Sequence, residues 1–353
     1  MKNAVPQNAL GTRASSRLTT ICAVYLVFLL LPVSLFADDV YTVEDLLKTK
    51  AVTTAEISPN GDLIAFTVLA PRAADDKPGA AYNNLYLVST QGGEPKSFVT
   101  GKLSVSEIAW SPDGASIAFL TKRGDKSKTQ VWVIPVSGGE AEQITHSETS
   151  VLGFHWHPSG NKIAYIATTP KSAREEALKE KGYGFIFYEE NLKHRNLHMV
   201  DLKSGDTEQL TEGVTVWTFV FSPDGAKIAA SMTEKNLIDY RYAFRKIHLL
   251  DLGSKKLRQL TDNPGKLGNF KFSPDGKTMA YAAALTQSDN NVSQAYVIDV
   301  SGGAAKNLTE QNFRGHITWV GWKDNGTIVY RGPRRRAHHH QSGQADGRQR
   351  RHT

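Results

Sequence analysis

The chain has 353 residues, of which 22% are charged and 40% hydrophobic, a composition typical of a folded protein rather than a disordered one. Its net charge of +7 arises at the two ends, since residues 1–37 and 331–353 hold ten of the 42 basic residues and one of the 35 acidic residues. The rest of the chain, with 32 basic and 34 acidic residues, is nearly neutral. It therefore lacks the basic surface that nucleic-acid binding requires, and we expect no nucleic-acid partner.

Residues 1–37 are typical of a signal peptide for export. Arg13 and Arg17 precede an apolar run, and Ala37 is the small residue at which cleavage would end the signal. We therefore predict a periplasmic or secreted protein. An uncleaved membrane anchor is the alternative, because the run from Leu18 to Ala37 is just long enough to cross a bilayer. A membrane is accordingly a predicted partner only if the signal stays uncleaved.

Residues 38–54 form a lead-in segment before the first repeated unit. The stretch from Tyr41 to Lys50 predicts a brief helix, with Thr42 as its N-cap and Glu44 and Asp45 in its first turn.

A tandem repeat then occupies residues 55–332 and organises the chain. The first half of the unit reads as strand, turn and strand, and it occurs six times: AEISPNGDLIAFTV at 55–68, IAWSPDGASIAFLT at 108–121, FHWHPSGNKIAYIA at 154–167, FVFSPDGAKIAASM at 219–232, FKFSPDGKTMAYAA at 270–283 and VGWKDNGTIVYRG at 320–332. The second half follows the first five copies, at 85–100, 131–145, 197–211, 247–261 and 295–309. Successive turns begin 46 to 65 residues apart.

The residues of the unit predict two β-hairpins. In Ser-Pro-Asp-Gly, Pro presets its own backbone angle, Asp can bond the backbone of the turn, and Gly takes the left-handed conformation. The second half carries Gly-Gly or Ser-Gly between its apolar runs, which marks another hairpin. Four strands every ~50 residues with no helix between them would leave apolar faces exposed unless the sheets pack around an axis. We therefore predict an all-β fold: an incomplete β-propeller of four-stranded blades, five complete plus half of a sixth.

Two segments depart from this regular pattern. The longest interval contains an insertion at 168–195, whose Ala-, Glu- and Lys-rich start predicts a short exposed helix or a flexible loop. After the last copy, residues 333–353 predict a disordered basic tail, and their Arg, His and Gln content also resembles out-of-frame translation or a truncated gene.

The repeats resemble the WD-like propeller repeats with a Ser-Pro-Asp-Gly turn that two families share. One is the serine peptidase family of prolyl oligopeptidase, dipeptidyl peptidase and acylaminoacyl peptidase, and the other is TolB, the periplasmic propeller protein of the Tol system. The lead-in VYTVEDLLKTKAVTTAEISPNGDLIAF at 40–66 resembles that of exported peptidases, and residues 182–211 resemble a blade of the acylaminoacyl-peptidase-like branch. TolB would have its own α/β domain before the propeller, whereas only the short segment 38–54 precedes the repeats here.

The resemblance to the peptidases implies a function without catalysis in this chain. In that family the propeller limits access to an α/β-hydrolase domain that carries a Ser-Asp-His triad. This sequence contains no G-x-S-x-G motif for such a nucleophile. We therefore expect a non-catalytic, substrate-gating propeller domain of an exported prolyl-oligopeptidase-type serine peptidase, truncated before the catalytic domain and inactive alone. The alternative is a stand-alone TolB-like periplasmic propeller that binds proteins.

Glu189 and Glu190 are the candidate substrate-binding residues. They follow Tyr188, and in dipeptidyl peptidases a Glu pair in a Tyr-Glu-Glu context captures the free amino terminus of the substrate. Two carboxylates directed into a cavity of low dielectric constant would hold an ammonium group strongly. The alternative is that both are solvated loop acids, as most acidic residues are.

No metal or cofactor is predicted. His155 and His157 stand two apart on a strand and could both ligate zinc, but no third ligand is identifiable nearby, and His157 replaces the turn Ser of the repeat. The Asp residues of the turns could suggest calcium, yet their place in a hairpin turn explains them: Asp113, Asp224 and Asp275. A His tract at 338–340 lies in the predicted tail.

The expected partners follow from this architecture. A propeller presents one face to a peptide substrate or to a protein partner. The first and last blades of an incomplete propeller would each lack a neighbour on one side, so we also expect self-association through the open edge.

Overall fold

A computed structural model describes residues 42–124, 127–184, 189, 191–288, 293–309, 313, 315–334 and 337–344. The predicted signal peptide and its cleavage site lie outside the described residues. The described part of the lead-in up to Thr49 is a unit by itself, and it contains the predicted helix as α1 (Val43–Lys48). Thr42 caps this helix as predicted: its hydroxyl accepts from the amide of Asp45 at 3.2 Å, and the Asp45 carboxylate accepts from the amide of Thr42 at 3.1 Å.

The chain from Lys50 onward builds six antiparallel sheets, one for each copy of the repeat, which we call the first to sixth blades. The first blade contains β1 (Val52–Ile57), β2 (Leu63–Ala70), β3 (Tyr82–Ser89) and β4 (Lys96–Val99). The second contains β5 (Val105–Trp110), β6 (Ser116–Thr121), β7 (Gln130–Pro135) and β8 (Glu142–Gln143), and the third β9 (Val151–Trp156), β10 (Lys162–Thr168), β11 (Arg195–Asp201) and β12 (Thr207–Gln209).

The last three blades continue the same order. The fourth contains β13 (Thr215–Phe221), β14 (Lys227–Thr233), β15 (Lys246–Asp251) and β16 (Leu257–Gln259), and the fifth β17 (Leu267–Phe272), β18 (Thr278–Ala284), β19 (Ser293–Asp299) and β20 (Lys306–Asn307). The sixth contains β21 (Trp319–Asp324), β22 (Thr327–Arg334) and β23 (Ala337–Gln344). In every blade, strands that follow each other in sequence are hydrogen-bonded neighbours, as the predicted hairpins require.

Two insertions carry helices. The insertion in the third blade contains α2 (Ala173–Glu180), which matches the expected exposed helix and has no buried side chain. A second helix, α3 (Ile238–Ala243), lies between β14 and β15 of the fourth blade. Sequence analysis did not predict α3.

The sixth blade differs from the sequence-based expectation of half a blade followed by a disordered tail. Strand β23 pairs with β22 along its whole length, from Thr327 opposite Gln344 to Arg334 opposite Ala337. The edge of β22 offers unpaired backbone groups that any following segment can meet, whatever its side-chain pattern. The sequence-based expectation relied on side chains and therefore missed this strand.

The Ser-Pro-Asp-Gly turns close as the sequence predicts. In the second blade, the Ser111 hydroxyl donates to Asp113 at 2.6 Å, and the same carboxylate accepts from the amide of Ala115 at 3.0 Å. Gly114 has a φ of +71°, which favours glycine. These bonds hold the pKa of Asp113 below its usual range, and Asp224 and Asp275 bind Ser222 and Ser273 in the same way. The turn geometry thus accounts for all three carboxylates.

The hydrophobic core is a row of interfaces between consecutive blades. Each cluster of buried side chains contains residues of two consecutive blades. Representative pairs, in chain order, are Leu85 with Phe119, Leu120 with Phe154, Leu197 with Phe219, Ile247 with Phe270, and Val297 with Ile328. Among the described residues, no such cluster joins the first blade to the sixth. The fold is therefore an all-β, incomplete propeller, as predicted.

No helix in the described ranges has the length and apolar character needed to cross a membrane.

Candidate functional site in the central cavity

The first strand of each blade lies towards the centre of the propeller. First strands of neighbouring blades contact one another, β1 with β5, β5 with β9, β9 with β13, and β17 with β21. The first strands of the first four blades, together with Ile166 of β10, line an open cavity of about 400 Å³. Its lining consists of Thr54, Glu56, Glu107, Ile108, Ala109, Leu152, Gly153, Phe154, His155, Ile166, Trp217, Thr218 and Phe219.

β-bulges interrupt these first strands next to the cavity. The pairing shifts between Val52 and Thr54 in β1, between Ser106 and Ala109 in β5, and between Val216 and Thr218 in β13. A bulge changes the direction in which a side chain points. Three lining residues, Glu107, Ile108 and Trp217, lie inside such bulges.

Glu107 has the least ordinary backbone of the lining residues. Its φ is +47°, a left-handed conformation that costs about 1–3 kcal/mol in a residue with a side chain. Its carboxylate lies against Gly153, where a Cβ would stand 3.3 Å from Oε2, and it accepts a hydrogen bond from the amide of Phe154. The strain and the absence of a side chain at residue 153 together place this carboxylate in the cavity.

The electrostatics of Glu107 favour proton uptake. Its side chain is exposed to the cavity, yet neighbouring protein atoms partly desolvate the carboxylate, and this desolvation raises its pKa above the ordinary value. The hydrogen bond from Phe154 opposes the shift without cancelling it. A ligand that brings a positive charge would relieve this penalty.

His155 is a neutral neighbour in the same lining. Desolvation, and secondarily the charge of Lys271, lowers its pKa to about 4, although part of its surface is open to the cavity. Its ring packs edge-to-face on Phe219, with the centroids 4.9 Å apart. At neutral pH the imidazole is therefore uncharged and can donate or accept a hydrogen bond without repelling a cation.

His157 does not join His155 in a metal site. Its Nδ1 accepts from the amide of Ser159 at 3.1 Å, so Nε2 carries the proton and donates to the carbonyl of Gly225 at 3.1 Å. The ring also packs edge-to-face on Phe221 of the fourth blade. His157 is thus a contact between blades. In the described ranges, no group of three His, Cys, Asp or Glu side chains has a geometry suited to a metal ion.

The predicted substrate-binding pair is only partly described. Glu189 is exposed, with a φ of +61°, and is not one of the residues that line the cavity. Glu190 and Tyr188 lie outside the described residues. Sequence analysis missed Glu56 and Glu107 as acidic residues of the cavity.

The sequence of the chain is similar to that of a bacterial peptidase. No protein-family model matches the chain. The uncharacterized peptidase YuxL of Bacillus subtilis is 26% identical over 250 residues, which are 70% of this chain and 32% of that peptidase. The chain thus spans about a third of the length of this curated relative.

Solved structures of peptidases and of TolB match the fold. Acylaminoacyl peptidase of Pyrococcus horikoshii matches with a TM-score of 0.60 and 14% identity, over 87% of this chain and 47% of that one. The β-propeller domain of the Trilobed protease of Pyrococcus furiosus, described as an open velcro topology, matches with a TM-score of 0.57 and 13% identity. This match covers 84% of this chain and 83% of that domain. A protein described as TolB from Agrobacterium tumefaciens matches with a TM-score of 0.50 and 18% identity. This match covers 74% of this chain and 81% of that one.

These structural matches confirm the resemblance that the repeats indicated. The identities are low, so the solved structures establish the fold, and the sequence match to a peptidase adds to them. The chain is a β-propeller of the type found in acylaminoacyl peptidase, in the Trilobed protease and in TolB.

Proposed function

We propose that this chain is the non-catalytic, substrate-gating propeller domain of an exported prolyl-oligopeptidase-type serine peptidase, and that its central cavity admits the peptide. The observation that carries the proposal is the presence of Glu56 and Glu107 in the lining of that cavity, in a fold that peptidase propellers share. At about 400 Å³ the cavity is within the size range of small-ligand sites. The periplasm or the cell exterior is the proposed location, because residues 1–37 have the charge and apolar pattern of a signal.

The acidic residues of the cavity suit the amino terminus of a peptide. Glu56 and Glu107 present carboxylates from adjacent first strands, and His155 beside them adds a hydrogen-bonding group without positive charge. An ammonium group entering this region would form charge-assisted hydrogen bonds with these carboxylates, of which that of Glu107 is partly desolvated. Glu189 and Glu190 remain a proposed second position for the same ammonium group.

Binding of tetra-alanine amide tests this proposal, because the peptide has a free amino terminus and no carboxylate. Calorimetry on the full chain should show that Glu107→Gln weakens its binding by about tenfold, the loss typical of a charge-assisted hydrogen bond. Glu176→Gln, an exposed acid on α2, is the matched control and should leave the affinity unchanged. Acetyl-tetra-alanine amide, which lacks the positive charge, should bind equally to all three proteins.

The other outcomes point elsewhere. Equal binding of tetra-alanine amide to wild type and Glu107→Gln, with a loss in Glu189→Gln, would move the capture site to the insertion of the third blade. No binding by any variant would contradict peptide gating.

A TolB-like protein-binding propeller is the second candidate. The match to TolB covers 81% of the TolB chain, whereas the match to acylaminoacyl peptidase covers 47% of that peptidase. On this alternative the propeller face binds a folded protein, and small peptides have no affinity for the cavity. The calorimetric experiment therefore separates the two candidates.

A further inference from the structure

Two arginines lie over the ring of Trp217, a residue that lines the cavity, and a third arginine lies near one of them. The guanidinium carbon of Arg195, at the start of β11, lies 4.5 Å from the centroid of the Trp217 ring, and that of Arg241, on α3, lies 5.6 Å from it. Arg245, just before β15, donates from Nη2 to the carbonyl of Leu267. We call these three residues the arginine cluster.

The arginine cluster is not neutralised. Among the described residues, no Asp or Glu side chain forms an ion pair with Arg195, Arg241 or Arg245. Nε of Arg195 and Nε of Arg245 are buried and have no hydrogen-bond partner. A buried donor without a partner costs about 1–3 kcal/mol, and more when it is charged.

Like-charge repulsion adds to this cost. Desolvation lowers the pKa of Arg195 and of Arg245, and in both cases the charge of Arg241 lowers it further. Arg241 therefore lies close enough to both to be repelled. The repulsion among these guanidinium groups is unfavourable by itself, and the negative charge of an anion bound between them would offset it.

We propose that the arginine cluster binds a carboxylate of the peptide that enters the central cavity. Trp217 connects the arginine cluster to the cavity, since Trp217 is one of the lining residues and its ring lies under the guanidinium groups of Arg195 and Arg241. This inference rests on the proposed function, because it identifies the peptide class as one with a carboxylate near the cavity wall. The carboxylate is either the carboxyl terminus or an acidic side chain.

The geometry favours a planar carboxylate. A guanidinium stacked over an indole keeps its N–H donors pointing outward in its own plane, where they can form two parallel bonds to a carboxylate. The acidic pair Glu56 and Glu107 belongs to β1 and β5, whereas Trp217 belongs to β13. The acidic residues therefore line the cavity from the first two blades, and the arginine cluster lies beyond Trp217 on the third and fourth, an arrangement of opposite charges that would orient a short peptide.

The test compares acetyl-tetra-alanine, which carries only a carboxylate, with acetyl-tetra-alanine amide. Calorimetry on the full chain should show the acid binding at least about tenfold more tightly than the amide, with an advantage that shrinks as NaCl rises from about 0.05 to 0.5 M. Arg241→Gln should remove most of this advantage, and Arg195→Gln/Arg241→Gln should abolish it. Arg174→Gln removes the same charge from the exposed surface of α2 and should change nothing.

A third probe separates the two sources of the carboxylate. Acetyl-trialanyl-glutamate amide has a side-chain carboxylate and no free carboxyl terminus. Preference for it over acetyl-tetra-alanine would assign the arginine cluster to acidic side chains, and the reverse would assign it to carboxyl termini. Either result supports the proposal.

Succinate tests the arginine cluster without a peptide, so that failure of the proposed function and failure of this inference can be distinguished. Succinate should change the tryptophan emission of wild type but not of Arg195→Gln/Arg241→Gln or of Trp217→Phe. If succinate acts in this way and no peptide binds, the proposed function fails and the anion site stands. Equal affinity for the acid and amide peptides, or a succinate response that persists in Arg195→Gln/Arg241→Gln, would overturn the inference.

Discussion

The indole N–H of Trp156 donates to the carbonyl of Ala109 across 3.2 Å and thereby joins the first strands of the third and second blades. The same bond recurs at two other boundaries, from Trp110 to Glu56 at 3.0 Å and from Trp322 to Lys271 at 3.0 Å. Each donor immediately precedes the first residue of a turn. The repeat therefore encodes a contact between blades as well as the fold of each blade.

Replacing this donor should weaken the boundary. Trp156→Phe keeps an aromatic ring but leaves the carbonyl of Ala109 without its bond, so we expect a loss of about 1 kcal/mol in the free energy of unfolding. Urea unfolding measures the loss. Trp319→Phe is the control, because the side chain of Trp319 is 39% exposed, and it should cost less than half as much. A larger effect of Trp319→Phe would contradict the role given to Trp156.

His157 provides the corresponding contact where the fourth blade has Phe221 in place of a tryptophan. A Cβ at Gly225 would lie 2.5 Å from the His157 ring, and Gly225 has a φ of +71°. Gly225→Ala should therefore combine backbone strain of about 1–2 kcal/mol with a clash of about 1–3 kcal/mol. Gly114→Ala is the matched control, since Gly114 has the same φ but its Cβ would lie 3.5 Å from the nearest atom, on Pro59.

Thermal or urea unfolding of four variants tests this clash. Gly225→Ala should be less stable than Gly114→Ala, and adding His157→Ser to Gly225→Ala should recover part of the difference. Strict additivity of the two changes would show that the ring and the glycine do not interact.

The strained backbone of Glu107 predicts a conflict between stability and binding. Glu107→Gly removes both a left-handed side-chain residue and a desolvated carboxylate, so we expect stability to rise by about 1 kcal/mol while tetra-alanine amide binding falls. Ser106→Gly, one residue earlier in the same strand, should instead lower stability, because glycine weakens an ordinary strand position. A decrease in stability for Glu107→Gly would show that the acid supports the fold.

His155 should make stability depend on pH. Its pKa falls from 6.5 to about 4 on folding, so the unfolded chain takes up a proton first as the pH drops. Wild type should therefore lose stability between pH 6.5 and about 4 relative to His155→Gln, and the difference between the two should be constant above pH 7. The other histidines are present in both proteins, so their contributions to the pH dependence cancel in the difference. Parallel stability curves for the two proteins over the whole range would contradict the desolvation of this imidazole.

The repeats made the blades predictable because each hairpin depends on local residues. The cavity lining was predictable in part, since positions two and four before each turn alternate with apolar ones and hold Glu56, Glu107 and His155. Sequence analysis aligned the copies by what they share and so passed over these variable positions.

The arginine cluster could not have been found in the same way. Its members belong to two blades, and only the packing of those blades brings Arg195 of β11 and Arg241 of α3 to the same ring of Trp217. Strand β23 likewise follows from backbone pairing alone, which no side-chain pattern reports.

The row of separate cores has a mechanical consequence for a ligand in the cavity. The first and second blades share one hydrophobic cluster and the third and fourth another, but no cluster joins the second blade to the fourth in the described ranges. A peptide bound by both Glu107 of the second blade and Arg241 of the fourth would therefore link two blades that share no hydrophobic cluster in the described ranges. Because such a ligand binds only the assembled propeller, it would stabilise the packed blades against separation. This stabilisation would increase with the affinity of the ligand.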